Sequence, residues 1–62
     1  MQIMKIKHLR ERAGLTQTAL AEAMGTTQAC IAGWEANTSV PRTDKLPKLA
    51  KVLDCTIDEL FE

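Results

Sequence analysis

The stretch from Gln17 to Glu35 constrains this chain more than any other part of it. Leu20, Ala21 and Met24 fall at i, i+1 and i+4, on one face of a helix, and Ile31 and Trp34 fall at i and i+3 on one face of a second. Between them stands Gly25, the residue type that ends a helix in a left-handed conformation without a Cβ clash. Thr16 and Thr27 each offer a hydroxyl where an N-cap is needed, and Leu15 precedes the first cap as an apolar staple. The spacing predicts a helix over 17–24, a tight turn, and a second helix from Gln28 to about Ala36.

The flanking sequence reads as further short helices. Ile6, Leu9 and Ala13 form an apolar stripe within a first helix over Ile3–Ala13, closed by Gly14, with Arg10 and Arg12 in the last turn where cations suit the dipole. The polar run 36–42 ends near Pro41 and reads as a loop, with Asn37 in the left-handed capping place that Gly usually takes. Asp44 is the expected N-cap of a fourth helix, with Pro47 at its third position and Leu46, Leu49, Ala50 and Leu53 facing inward. Thr56-Ile-Asp-Glu59 has the form of a capping box opening a fifth helix that carries Ile57, Leu60 and Phe61. No strand-like alternation or internal repeat appears. The expectation is one all-α domain over 1–62, a compact bundle of five short helices.

The composition is that of a small folded domain. The chain has 62 residues, 45% hydrophobic and 26% charged, enough for a modest core and unlike a disordered segment. No apolar run is long enough to span a membrane, and no signal peptide is visible, so a cytoplasmic location is expected. Cys30 and Cys55 are read as reduced thiols. With His8 as the lone histidine they do not suffice for a metal site, so no metal or cofactor is expected. No nucleophile stands with a base, so the chain is not expected to be an enzyme, and no small-molecule ligand is inferred. Formal net charge is zero, but it is unevenly spread. Lys5, Lys7, Arg10 and Arg12 make the start basic; Arg42, Lys45, Lys48 and Lys51 make a second basic block; Asp54, Asp58, Glu59 and Glu62 make the end acidic. Such asymmetry can orient a domain on a polyanion, more weakly than a strongly basic surface would.

The run Leu15-Thr-Gln17, Leu20-Ala21, Met24-Gly25, Gln28, Ile31, Trp34-Glu35, Pro41, Leu46, Leu49-Ala50 and Leu53 resembles the Cro/cI-type (Xre-like) helix-turn-helix family of lambdoid phage repressors. The Gly25-Thr-Thr-Gln28 run is similar to the phage 434 type in particular. The resemblance extends from Ile6 to about Phe61 and implies a lambda-repressor-like fold whose second and third helices form the motif. It also implies a bacterial or phage-encoded regulator of transcription that binds double-stranded DNA. In the family the second helix of the motif enters the major groove, and a dimer spans two grooves about 34 Å apart on a pseudo-palindromic operator.

By that resemblance Gln28 takes the place of an adenine-reading glutamine; its amide offers the donor and acceptor that adenine N7 and N6 require. Thr27, Ala29 and Ala32 share its outward face and are expected to touch bases, small apolar groups suiting a thymine methyl. Gln17 takes the place of a phosphate-binding glutamine at a helix N-terminus. Asn37, Thr38 and Arg42 match a loop that meets phosphates, and Arg10 with Glu35 matches a structural ion pair. The sequence departs from the 434 type in having Ala29 and Gly33 where further glutamines stand, so its inventory of base-reading groups is thin. Gly33 also costs the helix about 1 kcal/mol relative to alanine, which points to a close approach of backbone, from DNA or protein.

Other residues have plainer readings. Trp34 and Cys55 are expected to pack inside and His8 to lie exposed. Cys30 would be a redox switch only if exposed and of lowered pKa. A homodimer is expected, formed free or only on DNA, with Val40, Leu60 and Phe61 as contacts. The alternative from another class is a protein-binding module of the same fold, such as an antitoxin or antirepressor partner. Neutral charge and Gly33 both lean toward it.

Overall fold

The computed structural model describes residues 4–61. Four α-helices, α1 (Ile6–Arg12), α2 (Gln17–Met24), α3 (Gln28–Glu35) and α4 (Leu46–Val52), are joined with single 3-10 turns at Thr43–Lys45 and Asp58–Leu60. Helix α2 packs against α3 and α4, and α1 packs against α3. The inward faces close one core of Ile6, Leu9, Leu20, Met24, Ile31, Trp34, Leu49, Leu53 and Leu60. Burying each large aliphatic side chain is worth roughly 1.5–3 kcal/mol, so this single cluster carries the stability of the domain.

The central motif forms as its sequence dictates. Thr16 accepts a hydrogen bond from the Ala19 amide at 3.0 Å and Thr27 accepts one from the Cys30 amide at 3.3 Å, capping α2 and α3. Gly25 sits at φ 70°, in the left-handed region, and the Thr26 amide donates back to the Ala21 carbonyl at 2.9 Å. The chain reverses in this turn with no Cβ to oppose it.

Four local expectations are corrected. Helix α1 starts at Ile6, since Lys5 at φ −101° and ψ 37° lies outside helical geometry; the Met4 and Lys5 amides, which a helix start leaves free, bond across the fold, Met4 to Asn37 Oδ1 at 3.3 Å and Lys5 to the Leu60 carbonyl at 2.8 Å. Ile3 lies outside the described residues. Asp44 caps nothing; it sits inside the Thr43–Lys45 turn, Lys45 stands at the N-cap of α4 without a side-chain bond, and Pro47 falls in the first two helical positions rather than the third. Leu46 is only half-buried, so Leu49, Ala50 and Leu53 make the inward face there. The fifth helix is a single 3-10 turn. Its capping box is real, with the Thr56 amide donating to Glu59 Oε1 at 2.9 Å and the Glu59 amide donating to Thr56 Oγ1 at 3.2 Å. The turn goes no further because Phe61 is extended, at φ −108° and ψ 152°, and pairs with Met4 in an antiparallel bridge beside the bond from Lys5 to the Leu60 carbonyl.

Candidate nucleic-acid interface

Four of the expected side chains, from α1, α2 and α3, join in one hydrogen-bonded line that runs from the interior to the surface. At its base Arg10, buried on α1, donates through Nε to Glu35 Oε2, through Nη2 to Glu35 Oε1 at 3.4 Å, and through Nη1 to the Leu15 carbonyl at 2.7 Å. The expected ion pair is therefore present, with only 10% and 6% of its side chains exposed. Burial opposes the Glu35 charge, but hydrogen bonds from Arg10 and Gln17 and the positive charge of Arg10 outweigh it, and the carboxyl lies below its usual range. The Glu35 hydrogen bond likewise raises the Arg10 pKa.

Gln17, half-buried in the first turn of α2, donates from Nε2 to Glu35 Oε1 at 2.9 Å. Its Oε1 accepts from Gln28 Nε2 at 3.1 Å, and Gln28 stands exposed at the start of α3. An amide has two N–H groups and an oxygen. These bonds use one N–H and the oxygen of Gln17 and one N–H of Gln28, which leaves the exposed Gln28 a second N–H and its oxygen.

Thr27 and Ala29 flank Gln28 and are exposed; Ala32 is half-buried and offers less surface. The expected phosphate loop is partly turned inward. Asn37 sits at φ 60° in the left-handed place foreseen for it, with its oxygen committed to Met4. Thr38 is exposed and donates from Oγ1 to the Gly33 carbonyl at 3.3 Å. The Arg42 side chain is 81% exposed, with Nε 3.5 Å from Asp44 Oδ1, a loose surface pair.

Gly33 is explained by the chain itself. Its carbonyl accepts from the Thr38 amide at 3.0 Å and the Ser39 amide at 3.3 Å, and a Cβ there would meet Ser39 Oγ at 2.7 Å. The close approach on this side of the helix is that of residues 38–39. Cys30 is exposed, its thiol lowered by hydrogen bonding to Thr26 and Thr27, whereas burial raises the half-buried Cys55. Trp34 is buried and His8 exposed, as their spacing predicts.

One expected dimer residue is corrected: Leu60 is fully buried in its own core and offers no side-chain surface. Val40, 72% exposed, does offer one, and Phe61 is half-buried. Ile57, on the same last turn, is also exposed, at 41%.

The helix-turn-helix family model HTH_3 matches residues 6–60, which include every element of the fold. The chain belongs to that family. It is 36% identical over 57 residues to the HTH-type transcriptional activator BcrR of Enterococcus faecalis, an alignment covering 92% of this chain and 28% of BcrR. It is 34% identical over 61 residues to the HTH-type transcriptional regulator YobD of Bacillus subtilis (strain 168), covering 98% of this chain and 54% of YobD. The chain thus spans about a quarter to a half of these curated relatives. Among solved structures, the P22 c2 repressor protein in complex with synthetic operator 9T superposes with a TM-score of 0.83 at 30% identity, over 90% of this chain and 85% of that one. A Bacteroides fragilis protein assigned to DNA binding superposes at 0.93 with 32% identity, over the whole of both chains. The lambda-repressor-like architecture, with α2 and α3 as its motif, is that of this family.

Proposed function

We propose that this chain is a sequence-specific, double-stranded-DNA-binding regulator of transcription that acts as a repressor by occupying its operator. Helix α3 enters the major groove, Gln28 reads an adenine, and Thr27, Ala29 and Ala32 lie against neighbouring bases. Gln17, Asn37, Thr38 and Arg42 meet the phosphates, Gln17 with the one N–H it has left. The observation that carries this reading is the Gln28 amide. It is exposed at the capped start of α3, held by Gln17, and has a donor and an acceptor free. The fold places no structural demand on that outward pair.

Two copies bind a pseudo-palindromic operator in the cytoplasm, with Val40 and Phe61, joined by Ile57, as the apolar contacts between them. The surface is small, so the dimer forms on DNA rather than before it. The decisive measurement selects bound sequences from a random duplex pool and compares them with Gln28→Ala. The variant is expected to lose about 1–3 kcal/mol on the preferred duplex and its preference at one adenine. Unchanged affinity and preference would remove Gln28 from the readout.

Neutral net charge favours the protein-binding module as a second reading; Gly33 no longer does, since the chain's own loop occupies the space beside it. Titrating a random duplex at two salt concentrations separates the two. DNA binding requires affinity that falls as salt rises, and absence of binding at both would leave the protein-binding reading standing.

A further inference from the structure

We infer that Glu35 is a positioning residue that sets, through Gln17, which way the Gln28 amide faces a base pair. The inference rests on the reading of Gln28 as a base contact. The line Arg10–Glu35–Gln17–Gln28 has a direction that chemistry imposes. A carboxylate only accepts, so the Gln17 amide must turn its NH2 toward Glu35 Oε1, at 2.9 Å. Its oxygen then faces the other way, toward Gln28, which must answer with an N–H at 3.1 Å. Arg10 holds both Glu35 oxygens and is itself tied to the Leu15 carbonyl. The root of the line therefore cannot rotate, although its tip is exposed.

The consequence is at the DNA. Adenine presents an acceptor, N7, beside a donor, N6–H, and reversing the base pair reverses their order along the groove. A glutamine amide free to turn by half a circle matches either order. An amide with one N–H committed to Gln17 matches only one. Glu35 touches no base, yet it distinguishes A·T from T·A at the position that Gln28 reads.

The test uses the preferred duplex from the random pool and a second duplex in which that single base pair is reversed. The readout is the ratio of the two affinities. Wild type is expected to prefer its own duplex about tenfold, the scale of one good bidentate pair. Gln17→Met keeps the length of the side chain, breaks the line and leaves the Arg10–Glu35 pair in place. Its ratio is expected to fall to roughly twofold or less. A lost phosphate contact at Gln17 lowers both affinities alike and leaves the ratio untouched. Glu35→Gln, in which a carboxamide can accept or donate, is expected to lower the ratio in the same way. Should that variant not fold, Gln17→Met decides alone. If Gln28→Ala abolishes the preference while Gln17→Met retains it, the positioning role is overturned and base readout stands. If Gln28→Ala retains the preference, base readout falls and the positioning role falls with it.

Discussion

Glu35 is the residue on which stability and recognition meet. Its folded-state pKa lies below the ordinary carboxylate range, despite burial, because Arg10 and Gln17 bond its charged form. A depressed pKa contributes stability that is fully present above the unfolded value, about 4.3, and is lost as pH falls through the folded value. The urea midpoint is therefore expected to drop as pH is lowered from about 7 to about 3, and Glu35→Gln is expected to remove part of that dependence. At neutral pH the same substitution leaves a buried guanidinium without its counter-charge, which costs about 3–5 kcal/mol. A wild-type midpoint for Glu35→Gln at neutral pH would show that the pair is not stabilising. The pair was foreseen through the family resemblance, and the exposed place of Gln28 at the start of α3 through the cap at Thr27. The bond from Gln17 to Glu35 was not. It joins residues 18 apart and depends on the angle at which α2 meets α3.

The elements end alike. Each α-helix terminates at a left-handed residue, Gly14, Gly25, Asn37 or Asp54, whose neighbours donate back into the last turn. The first three were legible because Gly and Asn announce that conformation. Asp54 was not, since aspartate stands in many settings, and it holds φ 56° against its own Cβ. Asp54→Gly is expected to stabilise the domain by about 1 kcal/mol, read as a rise of roughly 4–8 °C in Tm. A fall in Tm would mean that the carboxylate contributes something its backbone does not reveal. Two of the boundaries missed from sequence, the start of α1 and the end of the last turn, lie side by side in the fold. There Met4, Lys5, Leu60 and Phe61 bond to partners distant in the chain, in a bridge and a turn rather than in a continuing helix. Periodicity records which residues face inward; it holds no record of such long-range pairing.

For the molecule as a whole, one core and one bridge between the two ends mean that damage anywhere is felt everywhere. Leu60 is fully buried beside the Lys5–Leu60 bond. Leu60→Ala is expected to cost about 2–5 kcal/mol, a large share of what a small domain possesses. Helical circular dichroism and the fluorescence of the buried Trp34 should then be lost together; separate transitions would mean that the end of the chain frays on its own. The same compactness limits how the protein can change through descent. Within α3, Ile31 and Trp34 belong to the core, Glu35 to the ion pair, and Gly33 to the loop that rests on it. Only Gln28, Ala29, Cys30 and Ala32 remain to be exchanged without disturbing the fold. A lineage acquiring new targets would have to diversify at those few places, so its binding preferences should shift in small steps while the scaffold beneath them stays still.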